Sequence, residues 1–157
     1  MKVWIGLGAN LGEPQAAIAT ALREIAAMPC TVLQRASSVY RSAPVEAQGP
    51  DFYNAVAEIE TTMAPIELLH ALQAIELAHG RERPYRNAPR TLDLDLLFYG
   101  EMVLEQAGLS LPHPRLHLRA FVLEPLLELS PGHVHPLLGL LAPWRTRAES
   151  QAIERLS

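Results

Sequence analysis

Apolar and polar side chains alternate along residues 2–7, 52–60 and 92–97, and alternation marks a strand with one buried face. Val3, Ile5 and Leu7 share one side of the first stretch. In the second, Tyr53, Ala55, Ala57 and Ile59 oppose Phe52, Asn54, Val56 and Glu58. In the third, Leu92, Leu94 and Leu96 oppose Asp93 and Asp95. Residues 31–40 are read as a further strand. Two segments carry helical spacing instead. Ile18, Leu22 and Ile25, with Ala17 and Ala21, follow Pro14 in a position suited to a first helical turn. Leu68, Leu69, Leu72 and Ile75 follow Pro65, with Gln73 and Glu76 on a more polar flank and Gly80 suited to close the helix. Residues 42–51, with Pro44, Gly49 and Pro50, are read as a loop. Residues 102–111 are expected to form a hairpin, residues 119–129 a helix interrupted at Pro125, and residues 136–141 a short helix. His133 and His135 are expected at the surface, and Cys30 in packing.

The order is strand, helix, strand, strand, helix, strand. This predicts an α+β fold with a ferredoxin-like βαββαβ core, the helices on one face of an antiparallel sheet and the active site on the other. The three apolar sets meet the helices. Phe52, Asn54, Asp93 and Asp95, each placed by a separate alternation, fall together on the second face.

At 157 residues, 49% hydrophobic and 19% charged, the chain is read as one domain over residues 1–157 with an ordinary soluble composition. A net charge of −4 argues against general nucleic-acid binding. No stretch is apolar enough to span a bilayer or serve as a signal peptide, so no membrane association is expected. A single cysteine excludes an intrachain disulfide and fits a reducing compartment, and a cytoplasmic monomer is expected. Lys2 is the one lysine; the other basic residues are arginines, whose planar fork matches phosphate oxygens.

Four of the twelve arginines, Arg81, Arg83, Arg86 and Arg90, lie in the ten residues that precede the Asp93/Asp95 strand. Carboxylates two apart on a strand lie about 7 Å apart on one face, a spacing suited to a hard divalent cation. An isolated Asp-x-Asp is more often a solvated strand face, and an isolated Arg-rich loop a solvated loop. Here only three Asp occur in the chain, two of them in this motif, and the arginines run directly into it. Arginines beside a carboxylate pair are the equipment of phosphoryl transfer. Residues 6–12 resemble a phosphate-binding glycine loop but lack its spacing and lysine, and are read as a tight turn into the first helix. Phe52 and Asn54 could stack on and hydrogen-bond a flat heterocycle, or simply begin an exposed strand. His113 and His117 are separated by Pro114 and are not read as a metal pair.

The run from Arg86 through Asn87, Ala88, Pro89, Arg90, Thr91, Leu92, Asp93, Leu94, Asp95 and Leu96 to Leu97 resembles the signature of the 6-hydroxymethyl-7,8-dihydropterin pyrophosphokinases of folate biosynthesis. Supporting blocks are residues 6–12, 40–44, 50–55, 75–76 with 80–81, and 111–115 with 119–121. The resemblance implies transfer of pyrophosphate from ATP to the hydroxymethyl group of 6-hydroxymethyl-7,8-dihydropterin, releasing AMP. It implies two Mg²⁺ ions held by Asp93 and Asp95. Phe52 and Phe121 would sandwich the pterin, with Asn54 and the backbone of Ser42, Ala43, Pro44 and Val45 reading its edge. Arg81, Arg83, Arg86, Arg90, His113 and Arg119 would contact ATP, with Gln73, Glu76, Leu96 and Ser110 as neighbours. Arg81, Arg90, Asp93 and Asp95 would carry the catalytic step. The loop over residues 81–90 is expected to close on bound nucleotide. Two other readings are open on the residues alone: a different Mg²⁺-dependent nucleotidyl-transfer enzyme, or a non-enzymatic ferredoxin-like nucleotide-binding regulatory domain.

Overall fold

The computed structural model describes residues 1–43, 50–80, 92–106 and 108–156. The elements in chain order are β1 (Lys2–Ala9), α1 (Pro14–Ala26), β2 (Thr31–Ala36), β3 (Tyr40–Ser42), β4 (Phe52–Thr61), α2 (Pro65–Ala78) and β5 (Asp93–Tyr99). There follow the hairpin β6 (Leu104–Gln106) and β7 (Leu109–Leu111), a 3-10 turn (Leu116–Leu118) and α3 (Ala120–Leu129). The last are β8 (Val134–His135), β9 (Gly139–Leu140), α4 (Ala142–Arg147) and β10 (Glu154–Arg155). One antiparallel sheet runs β10-β3-β4-β1-β5, with β2 also paired to β4. This is the ferredoxin-like arrangement expected from the element order.

The first face of the sheet is buried as its alternation predicts. Val3, Ile5, Leu7, Ala55, Ala57, Ile59, Leu92, Leu94 and Leu96 pack against Ile18, Ala21 and Ile25 of α1 and Leu68, Leu72 and Ile75 of α2. Burying each such large aliphatic side chain contributes about 1.5–3 kcal/mol, which fixes β1, β4 and β5 in register.

In four places the chain differs locally from the sequence reading. First, β1 does not break at the glycines but continues through Gly6 and Gly8 to Ala9, fully paired with β4. Second, residues 31–40 form two strands on the same edge of β4. At the break the Ser37 amide donates to the Val56 carbonyl oxygen at 2.9 Å, and the Val56 amide donates to Ser37 Oγ at 2.9 Å. A side-chain oxygen thus replaces a ladder carbonyl and lets the chain step outward. Third, residues 136–141 do not form a helix; β8 and β9 make a small hairpin there, and α4 follows. Fourth, Cys30 is exposed, at φ 56°, rather than packed.

The second face is not left wholly to the site. Trp4, Val56, Leu97 and Phe98 form a second core with Leu116, Val122, Leu123, Leu126 and Leu141, beneath α3. The register shift between Trp4 and Ile5 makes room for it: Ile5 pairs with Leu96 and Trp4 with Phe98, so Leu97 is an extra residue in β5. Leu97 and Phe98 both join the second core, and Tyr99 returns to the first. His133 and His135 belong to this region rather than to the surface. The His133 ring lies 4.5 Å from that of Phe98 and 5.1 Å from that of Trp4, and His135 is buried.

Candidate active site

What α3 leaves uncovered on the second face is the row of polar residues. Cross-strand partners share a face. Tyr40 pairs with Asn54, Asn54 with Gly8, and Gly8 with Asp93, so the four form one line across β3, β4, β1 and β5. In the next rows Ser42 pairs with Phe52, and Gly6 with Asp95. Phe52, Asn54, Asp93 and Asp95 therefore stand on one face, as their alternation implied.

Gly8 is what lets Asn54 lie across the sheet. A Cβ at Gly8 would stand 2.8 Å from Asn54 Nδ2, inside contact distance. Asn54 Nδ2 donates a long bond, 3.4 Å, to the Leu7 carbonyl oxygen. Its Oδ1 is buried with no partner among the described residues. A buried amide oxygen left unpaired is costly to a protein that does nothing with it. Phe52 stands open at the strand's start, 40% exposed. Phe121, at the start of α3, is half-buried, with the Arg119 guanidinium 5.4 Å from its ring centroid.

Beyond Asp95 lies a cavity of about 330 Å³. Of the predicted residues it gathers Asp95, Leu96, Ser110 and His113; Leu69, Gln106 and Leu109 also line it. The predicted hairpin, β6–β7, forms one wall. The His113 amide donates to the Leu97 carbonyl oxygen at 2.9 Å, which ties the segment to β5. His113 Nδ1 accepts from the Arg115 amide at 3.1 Å, so the neutral ring carries its proton on Nε2. Burial pushes the His113 pKa down to about 4; the Arg119 and Arg115 charges add to this and the Asp93 carboxylate opposes it. At neutral pH His113 is an uncharged donor beside the acidic pair.

Glu76 is not on a polar flank but is buried at 2% exposure. Its Oε2 accepts from the Leu94 amide at 2.7 Å, between the two aspartates in sequence. It thus positions the acidic strand against α2. Gln73 is exposed on α2, and Ser42 and Ala43 end β3 and lead away from it. Pro44 and Val45, the arginines Arg81, Arg83, Arg86 and Arg90, and the expected closing of residues 81–90 lie outside the described residues. Sequence reasoning named Gly8 only within residues 6–12 and Leu69 only in the apolar stripe of α2; the place of Gly8 opposite Asn54 and the part of Gln106 in the cavity have no signal in any motif.

The Mg²⁺ expected here fits the donors present. Asp93 and Asp95 offer hard oxygens only, and Gly6 and Gly8 beside them present no side chain. Among the described residues no three or more His, Cys, Asp or Glu side chains gather as a metal site. A pair of carboxylates without a full protein cage is what a cation completed by substrate phosphates and water requires.

A ferredoxin-like sheet with a carboxylate pair, a histidine and a cavity on one face suits a phosphoryl-transfer type of enzyme. The comparisons narrow this. The model of the 7,8-dihydro-6-hydroxymethylpterin-pyrophosphokinase family matches residues 4–131. The chain is 47% identical over 131 residues to 2-amino-4-hydroxy-6-hydroxymethyldihydropteridine pyrophosphokinase of Pseudomonas aeruginosa, covering 83% of this chain and 81% of that one. It is 43% identical over 137 residues to the enzyme of the same name from Haemophilus influenzae, covering 87% and 86%. A Plasmodium falciparum HPPK-DHPS structure with pteroate superposes with a TM-score of 0.75 at 12% identity; 95% of this chain spans 42% of that one, and the likeness concerns the fold. The chain belongs to the 7,8-dihydro-6-hydroxymethylpterin-pyrophosphokinase family. Its reaction moves pyrophosphate from ATP to the pterin's hydroxymethyl group and releases AMP, a step of folate biosynthesis. The regulatory-domain and nucleotidyl-transfer readings fall with that assignment.

Proposed function

We propose that the second face of the sheet divides this reaction between two ends of one site. The observation that carries the reading is the line Asn54–Gly8–Asp93. It sets an amide with an unpaired oxygen and a carboxylate two strand spacings apart, about 10 Å, on one face. At the β4 end, Asn54 would read the pterin edge through its unpaired Oδ1, together with the backbone of Ser42, Ala43, Pro44 and Val45. Phe52 and Phe121 would hold the ring by stacking. At the β5 end, Asp93 and Asp95 would supply the protein's ligands to Mg²⁺, with two ions proposed on the family resemblance. Bound there, the cation would neutralise phosphate charge. His113 would donate from Nε2, and Arg119 would present a guanidinium, to phosphate oxygens. Ser110 and Leu96 would line the nucleotide cavity, Glu76 would hold the acidic strand, and Gln73 would stand at the margin. Arg81, Arg83, Arg86 and Arg90 are proposed on their chemistry and their place in the sequence. The attacking group is an unactivated alcohol, so positioning and charge neutralisation carry most of the rate.

We further propose that residues 1–157 act as one domain, monomeric and cytoplasmic. Two cores on opposite faces of one sheet support the single domain. Among the described residues no helix is long and apolar enough to cross a membrane. Light scattering tests the monomer. The two-ended site is tested by binding. Asn54→Ala should weaken the pterin and spare MgATP; Asp95→Ala should do the reverse. Each substitution weakening both ligands equally would contradict a divided site.

A further inference from the structure

Glu128 lies at the far end of α3 from Phe121, seven residues on and therefore nearly on the same helix face, about 10 Å along the axis. Its carboxylate is the meeting point of three segments. Tyr40 Oη donates to Glu128 Oε1 at 2.7 Å. The Ser38 amide donates to both carboxylate oxygens, at 3.0 and 3.2 Å, and Ser38 Oγ donates to Oε2 at 3.3 Å. Arg155 of β10 donates from Nε to Ser38 Oγ at 3.0 Å and holds its Nη2 3.8 Å from Glu128 Oε2.

The strand so gripped is β3, only three residues long. One edge pairs with β4 at Phe52, Tyr53 and Asn54, and the other with β10, where Glu154 opposes Arg41 and Arg155 opposes Tyr40. Beyond this pairing, the Leu156 amide donates to the Val39 carbonyl oxygen at 2.9 Å, and Arg41 forms an ion pair with Glu154. A three-residue strand is too short to hold its own register. Tyr40 adjoins Asn54 in the site's polar row, and Ser42 adjoins Phe52. Burial and the Glu128 charge raise the Tyr40 pKa, and the Tyr40 and Ser38 hydrogen bonds hold Glu128 ionised despite its burial. The contact is therefore a charge-assisted one, roughly twice as strong as a neutral pair. β10 lies beyond residue 131, where the family match ends.

We infer that Glu128, with Tyr40 and the β10 strap, is a positioning device for the pterin slot: it fixes α3, which carries Phe121, against β3, which braces Phe52 and Asn54. The inference rests on the pterin-end reading of the site given above. The contacts of Glu128 gather at the β3 and β10 edge of the sheet, across β4 and β1 from Asp93 on β5, so the device should act on the pterin more than on MgATP.

The test is the Michaelis constant of each substrate, with melting temperature as a control, in Glu128→Ala, Glu128→Gln, Tyr40→Phe, Arg155→Ala and Asn54→Ala. Losing a charge-assisted bond at the device should raise the pterin KM about tenfold in Glu128→Ala, leave the MgATP KM within about twofold, and be partly rescued in Glu128→Gln. Tyr40→Phe and Arg155→Ala should show the same split at smaller size, and they decide the matter if Glu128→Ala does not fold. A lowered melting temperature with both constants unchanged, or with both raised equally, would reduce Glu128 to a structural residue and overturn the inference. If Asn54→Ala raises the pterin KM and the Glu128 and Tyr40 variants do not, this inference fails alone. If Asn54→Ala also leaves it unchanged, the pterin-end reading fails with it.

Discussion

At the scale of single residues, the site depends on side chains that are small or absent. Asp93 and Asp95 are half-buried on the open face, opposite the leucines that anchor β5, so neither carries the core. Asp95→Ala should therefore lower turnover by roughly 10²–10³-fold while the melting temperature stays near that of the parent. Gly8 gives a sharper expectation. Gly8→Ala adds one methyl 2.8 Å from Asn54 Nδ2, and the amide must swing away from its place in the row. The pterin KM should rise about tenfold, the worth of one misplaced hydrogen bond, with the MgATP KM unchanged. An Ala variant with an ordinary pterin KM would show that Asn54 does not need that path. The acidic pair and the Phe52–Asn54 face were legible from alternation because period two assigns faces without any tertiary knowledge. Gly8 was not, because its role exists only once β1 and β4 are in register. Glu76 was misread for the same reason: its place on a helical wheel says nothing of the Leu94 amide that it meets.

At the scale of elements, amphipathic pattern located α1, α2, β1, β4 and β5, since each buries one face in the core between the sheet and the two helices. It failed where an element serves two layers or where a side chain imitates backbone. Leu97 breaks the alternation of β5 because a second core needs two adjacent apolar residues on one side. The single strand read over residues 31–40 is split because Ser37 Oγ stands in for a carbonyl, which no hydropathy pattern can register. Ser37→Ala leaves the Val56 amide, in a fully buried residue, without its acceptor. The expected cost is about 1–3 kcal/mol in urea unfolding, with faster amide exchange at Val56. Unaltered stability would mean that β2 and β3 re-pair continuously along β4 when the hydroxyl is gone.

At the scale of the whole molecule, the second core makes stability depend on acidity. His133 is packed between Trp4 and Phe98, with Nδ1 3.2 Å from Ser130 Oγ. Burial pushes its pKa down from 6.5 to about 4; the charges of His135 and Lys2 act in the same direction, and Glu58 opposes them. The unfolded chain, with an ordinary histidine, binds more protons than the folded one between these values. Stability is then fully present above about pH 6.5 and is lost as pH falls toward 4. His135, lowered by burial and by His117, adds to the same loss. Glu128, held below its ordinary 4.5 by the Tyr40 and Ser38 bonds despite burial, acts in the same sense only at lower pH. His133→Phe keeps an aromatic ring against Phe98 and removes the proton site. Its melting temperature should fall less steeply than the parent's between pH 6.5 and 4, with the two curves running parallel below that window. Equal slopes within the window would show that His133 already titrates normally in the folded protein, and that the second core admits water at that ring.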